Sequence, residues 1–182
     1  MSIDKTWHLA QSTEEIKVTE FEFQLWRVFY GFLRWQKECE HSANDTDLIG
    51  DELAILHVIR MKDKPKTTYD LARLLNRDDT FNINYIIRKL LKRGLIKKVP
   101  AQGSKKMLAY QITEAGIKNT DAYTSVRKSI LINMFIKETE LNLEEISKTL
   151  AKLKAIYDEA DRAAASYAIP ETTKEKKKNK QK

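Results

Sequence analysis

Apolar positions recur at helical spacing through most of the chain, and the spacing changes to alternation in one short region. Residues 67–110 read TTYDLARLLNRDDTFNINYIIRKLLKRGLIKKVPAQGSKKMLAY. Leu71, Leu74 and Leu75 predict a short helix over residues 68–75, with Thr67 as its N-cap and Asp70 completing a capping box. Asn76-Arg77-Asp78-Asp79 makes a turn, and the two aspartates suit the positive end of the helix that follows. That helix, about residues 79–93, carries Ile83, Ile86, Ile87 and Leu90 as a buried stripe. Gly94 ends it, where a left-handed cap requires no Cβ. Residues 95–99 and 107–112 then predict an antiparallel pair around a basic loop at 100–106. The pattern is a helix-turn-helix followed by a β-wing, residues 48–112 in all.

On either side the pattern is helical. Residues 1–18 read as an irregular arm. A first helix, about residues 19–41, places Phe21, Leu25, Val28, Phe32, Trp35 and Cys39 on a heptad seam. Phe23, Trp26, Phe29, Tyr30 and Leu33 add a second apolar surface, so this helix needs burial on several sides, by its own core and by another subunit. A second helix, about residues 48–61, turns Leu53, Leu56 and Ile59 or Met61 inward, and Pro65 follows the break. After the wing, Thr113 caps a helix running to about residue 137. A last helix starts at an Asn142/Glu145 capping pattern. Its Leu143, Ile146, Leu150, Leu153, Tyr157, Ala160, Ala164 and Tyr167 alternate spacings of three and four. Such a helix is marginal alone in water and needs a packed partner.

Charge sharpens this picture. The net charge of the 182 residues is +7. Residues 76–106 hold nine Lys/Arg against two Asp/Glu, and residues 168–182 hold six Lys against two Glu. A mildly acidic body with a basic helix, wing and tail is the distribution of a nucleic-acid footprint. Residues 168–182 read as a disordered tail. With 5 Gly and 3 Pro the chain is not all-β, and a single cysteine forms no intrachain disulfide. No apolar run approaches the roughly 20 residues of a membrane helix, and residues 1–15 lack a signal peptide's apolar core. The expectation is a cytoplasmic, nucleoid-associated protein.

Asn82, Asn84, Tyr85, Arg88, Lys89 and Lys92 lie off the buried stripe. Asn pairs bidentately with adenine and Arg with guanine, so Asn82, Asn84 and Arg88 are candidates for base-edge contact. Tyr85 and Thr68 are further DNA-contact candidates. Lys89, Lys92, Lys105 and Lys106 position the protein on phosphates. The competing reading of each is an ordinary helix-surface residue.

The order of parts resembles the MarR family of bacterial winged-helix regulators over about residues 21–167. DLARLLN (70–76) is similar to the family's first helix of the helix-turn-helix. IIRKLLKRGLI (86–96) is similar to the end of its recognition helix and the start of its wing. ITEAG (112–116) resembles the phrase after the wing. The resemblance implies a mainly α fold with a small β-wing and with N- and C-terminal dimerisation helices (19–47 and 113–167). It implies a homodimer on double-stranded DNA, and a pocket for a small aromatic or anionic effector. Trp26, Tyr30, Arg34 and His57 are the candidates to line that pocket. Ser104-Lys105-Lys106 stands where the family's wing carries aspartate and arginine, which favours phosphate contact over minor-groove insertion.

Catalytic signatures are missing: there is no Gly-rich phosphate loop, no Gly-x-Ser-x-Gly and no His-Glu-x-x-His. His8, His41 and His57 are scattered, so no metal site, cofactor or enzymatic activity is expected. Cys39 has two readings, an oxidant-sensing thiol or a small packed residue. Glu38 and Glu40 beside it favour the second, because they raise its pKa. A sequence-specific transcription regulator is the leading reading. The alternatives are a winged-helix protein-assembly module and a nonspecific architectural DNA binder.

Overall fold

A computed structural model describes residues 8–44, 46–138 and 140–167. The start of the arm, including Trp7, and the whole basic tail lie outside the described residues, as do the side chains of Ser104 and Lys105. The chain divides into two compact units, residues 1–133 and 134–182.

The first unit opens with α1, Thr13–Asn44. It starts six residues before the expected position because Ser12 and Glu15 form a capping box. The Ser12 hydroxyl accepts from the Glu15 amide (3.3 Å), and the Glu15 carboxylate accepts from the Ser12 amide (3.0 Å). Next come α2, Gly50–Arg60, a 3-10 turn at Met61–Asp63, and α3, Thr68–Leu75. Thr67 and Asp70 form the expected box at the head of α3. The reading helix α4 spans Thr80–Lys92, and Gly94 follows with a φ of 70°. The wing is β1, Ile96–Ala101, paired antiparallel with β2, Ser104–Ile112, from Ile96 opposite Ile112 outward. Its strands reach further than the alternation predicts. Lys105 and Lys106 therefore lie on β2 rather than in a loop, and only Gln102 and Gly103 make the turn. Lys66 adds a one-residue bridge to Tyr110 on the other edge of β2.

Helix α5, Glu114–Arg127, begins at Thr113, whose hydroxyl accepts from the Gly116 amide (3.1 Å). It gives way to a π turn at Lys128–Ile132 and then α6, Asn133–Lys137, where the sequence predicts one uninterrupted helix. In the second unit α7, Leu143–Ala165, is capped by Asn142.

The core of the first unit joins Leu53, Ile55, Leu56 and Ile59 of α2 with Leu71 and Ala72 of α3. Ile83, Ile86, Ile87 and Leu90 of α4, with Ile96 and Tyr110 of the wing, close it. All four predicted stripe residues of α4 are buried. Cys39 of α1 and Tyr123 of α5 extend this core, so α1 and α5 belong to the same unit as the helix-turn-helix.

The junction of α1 and α5 also holds a buried carboxylate. Glu40 is fully buried and accepts from Thr46 (2.6 Å), Asn119 (2.9 Å) and Asn44 (3.0 Å). Three neutral donors take the place of water, which is what lets a carboxylate sit inside.

Most of the α1 seam is not covered by the first unit. Cys39 is buried, whereas Phe21, Val28 and Phe32 are exposed, as are Trp26, Phe29 and Tyr30 beside them. In the second unit the predicted stripe of α7 is likewise open at Leu143, Ile146, Leu150 and Tyr157.

Candidate nucleic-acid interface

The geometry of α4 follows from its buried stripe. At 3.6 residues per turn, the line opposite Ile83, Ile86, Ile87 and Leu90 is Phe81, Tyr85, Arg88 and Lys92. All four are exposed. Asn82 and Asn84 sit on the two flanks of that line and are half-buried. The outermost face is therefore aromatic at its start and cationic further along, with an asparagine on each side.

The flanking asparagines are held rather than free. The Thr68 hydroxyl of α3 donates to Asn84 Oδ1 (3.1 Å). Thr68, a predicted DNA contact, thus acts on Asn84 and leaves its amide N–H groups to point elsewhere. Asn82 hydrogen-bonds to Asp79. That arrangement weakens the expectation that Asn84 offers both amide atoms to one adenine, because its oxygen is already engaged.

The two aspartates before α4 also differ from expectation. Asp79 is the N-cap residue but makes no side-chain cap hydrogen bond. Its carboxylate instead accepts a forked pair from Arg77, at 2.8 and 2.6 Å. Arg77 reaches Asp51 of α2 as well (2.8 Å). The guanidinium hydrogen bonds hold the Asp79 carboxyl below its usual pKa and hold Arg77 above its own. Asp79 is therefore a neutralised anion, which reduces its repulsion of phosphate.

Lys89 is turned inward. Its ammonium pairs with the carboxylate of Glu52, whose side chain is only 2% exposed. The other Glu52 oxygen accepts from the Ile49 amide at the head of α2 (3.2 Å). A buried carboxylate needs a cation or several donors, so Lys89 is a strut between α2 and the reading helix, already occupied. Arg93 is paired with Asp47 in the loop after α1. Among the described side chains of α4 and the wing, the exposed cations that make no such pair are Arg88, Lys92, Lys97, Lys98 and Lys106. Phe81 is the residue that the spacing analysis missed. It stands four before Tyr85 and seven before Arg88, so the same off-stripe arithmetic identifies it.

The four effector candidates fall into two settings. Trp26, Tyr30 and Arg34 are exposed on α1. His57 is largely interior, its ring 4.8 Å from that of Tyr123, and its Nε2 has no hydrogen-bond partner. Burial pushes the His57 pKa down, so the ring is neutral at pH 7. Trp35 Nε1 and Asn119 Oδ1 are two further buried polar atoms without a partner.

Cys39 is buried, and its thiol donates to the Tyr123 carbonyl (3.7 Å). Burial first, and Glu40 as a lesser cause, raise its pKa. A buried thiol with a raised pKa is a poor nucleophile. Labelling of the folded protein with a thiol reagent near pH 7 should run orders of magnitude slower than labelling of the denatured chain. Comparable rates would restore the sensing reading. Among the described residues no cluster of His, Cys, Asp and Glu is arranged to hold a metal ion, and no helix is long and apolar enough to cross a membrane.

Residues 48–116 match the family described as winged helix DNA-binding domain. No curated protein matches the chain. Among solved structures, CouR from Rhodococcus jostii RHA1, bound to p-coumaroyl-CoA, superposes with a TM-score of 0.64 at 16% identity, over 74% of this chain and 92% of its own. AbfR of Staphylococcus epidermidis also reaches 0.64 at 16% identity, over 82% and 99%. The organohalide-sensing transcriptional regulator RdhR, ligand-free, reaches 0.57 at 25% identity, over 81% and 87%. Residues 48–116 thus match the winged helix DNA-binding domain family, within a chain whose fold is shared with CouR, AbfR and RdhR.

Proposed function

We propose that the protein is a homodimeric, sequence-specific DNA-binding transcription regulator. The observation that carries this reading is the outer face of α4. It offers Arg88 and Lys92 to duplex DNA while Arg77, Lys89 and Arg93 are spent on internal pairs. An isolated reading helix binds DNA weakly, and two copies set one helical turn apart engage successive major grooves of a pseudo-palindrome. The open apolar faces of α1 and of α7 support pairing, because large contiguous apolar surface on a protomer marks an interface.

Light scattering at micromolar protein should give twice the chain mass, and selection from randomised duplexes should enrich a two-fold-symmetric sequence. A single-chain mass together with no sequence preference would overturn the proposal. A steep salt dependence and a large specific-to-nonspecific ratio separate it from a protein-assembly module. Unchanged sequence preference after removal of residues 171–182 separates it from an architectural binder.

A small aromatic effector is part of the proposal. CouR is seen with p-coumaroyl-CoA and RdhR with 2,4-dichlorophenol. In this chain the unpartnered Trp35, His57 and Asn119 atoms are polar groups that a ligand would satisfy. Such a ligand releases DNA only by preferring a dimer geometry that DNA does not.

A further inference from the structure

We propose that Phe81 selects thymine by packing against its 5-methyl group in the major groove. The inference rests on the DNA-binding reading above and adds a specificity determinant to it. Phe81 is 82% exposed, more than any other large apolar residue described. It stands in the first turn of α4, on the line opposite the buried stripe, with Tyr85, Arg88 and Lys92 following along the same face. A reading helix in the major groove presents its early residues to base edges. Those edges offer hydrogen-bond donors and acceptors at every pair, and one apolar group, the thymine methyl. Phenylalanine has no hydrogen-bonding atom in its side chain, so on this face it has one complementary target. Tyr85, 51% exposed, keeps a hydroxyl and is not restricted in the same way. An exposed ring leading an otherwise polar and cationic face is the feature that the fold itself does not explain, since its removal uncovers nothing in the core.

The test uses the full chain and the duplex enriched by selection from a random library. Each thymine of that duplex is replaced in turn by deoxyuridine, which pairs identically and lacks only the methyl. Fluorescence anisotropy should show one position per half-site where the replacement weakens binding about fourfold, the worth of one buried methyl carbon. Phe81→Ala should bind the thymine and uracil duplexes equally at that position. A wild-type protein indifferent to every replacement overturns the proposal without any variant. So does Phe81→Ala retaining the full thymine preference. If selection enriches no duplex at all, the sequence-specific reading has failed, and this inference with it.

Discussion

Replacing Arg88 by Ala should weaken binding to the preferred duplex far more than binding to random duplex. Arg88 is the exposed arginine in the middle of the outer face of α4. A guanidinium in a major groove can pair with guanine O6 and N7 together, an interaction worth about 1–3 kcal/mol of discrimination, and that is the contact expected of Arg88. In the proposed dimer it is lost twice, so specific affinity should fall by about 2–6 kcal/mol, from roughly thirtyfold to roughly twenty-thousandfold. Lys92→Ala provides the contrast. One turn further along, its ammonium is expected to meet phosphate rather than a base edge. That loss should weaken all duplexes alike and lower the salt slope by about one per protomer. Anisotropy titrations of both variants at several salt concentrations distinguish these patterns. Equal loss on specific and random duplex for Arg88→Ala would reassign it as a phosphate contact. Asn84→Ala should behave like a weaker Arg88→Ala, because Thr68 already fixes its amide.

The second large effect lies away from the DNA. Gly116→Ala should destabilise the fold, even though alanine is the better helix former by about 1 kcal/mol. A Cβ at Gly116 would lie 2.2 Å from the Leu95 carbonyl oxygen and 2.7 Å from an Ile112 side-chain carbon. The oxygen is backbone and is already accepting from the Thr113 amide (3.1 Å), while the Thr113 hydroxyl donates to the Gly94 carbonyl (2.7 Å). The start of α5 is thus pressed against Leu95, between α4 and β1, and against Ile112 at the end of β2, with no room for a methyl group. Overpacking of this kind costs about 1–3 kcal/mol, occasionally more, and Gly116→Val should cost more than Gly116→Ala. Chemical unfolding at one fixed protein concentration measures it, since the stability of the proposed dimer would depend on concentration. Gly31→Ala in α1 is the control: its Cβ would meet only the end of Arg34, at 3.9 Å. A Gly116→Ala protein as stable as the parent would mean that the α5 junction yields easily.

The glycine also shows what a residue pattern carries without its reason. Ile112-Thr113-Glu114-Ala115-Gly116 could be recognised as a family phrase and its threonine read as a cap. Why the fifth position is glycine became visible only when the Leu95 carbonyl was found against it. The start of α1 is the opposite case. Ser12-Thr13-Glu14-Glu15 is a capping box written in four consecutive residues, ahead of the apolar seam that begins at Phe21. The wing's strands extend past the predicted ends through Pro100-Ala101 and Ser104-Lys105-Lys106, which carry no apolar–polar alternation.

What the residues determined by themselves is the order and kind of the elements up to the π turn at Lys128–Ile132, the caps at Thr67 and Thr113, and the inward face of α4. Each of those depends on groups no more than a few positions apart, so periodicity and capping chemistry record them in the chain. The roles of individual charges were decided by tertiary structure. Lys89 meets Glu52 across 37 positions and Asn119 meets Glu40 across 79. Burial makes such pairs binding, because a carboxylate removed from water must take whatever donors the fold brings to it. Hence a lysine that looks like a phosphate contact becomes a strut. The same packing leaves Phe81 as the most exposed large apolar residue of α4.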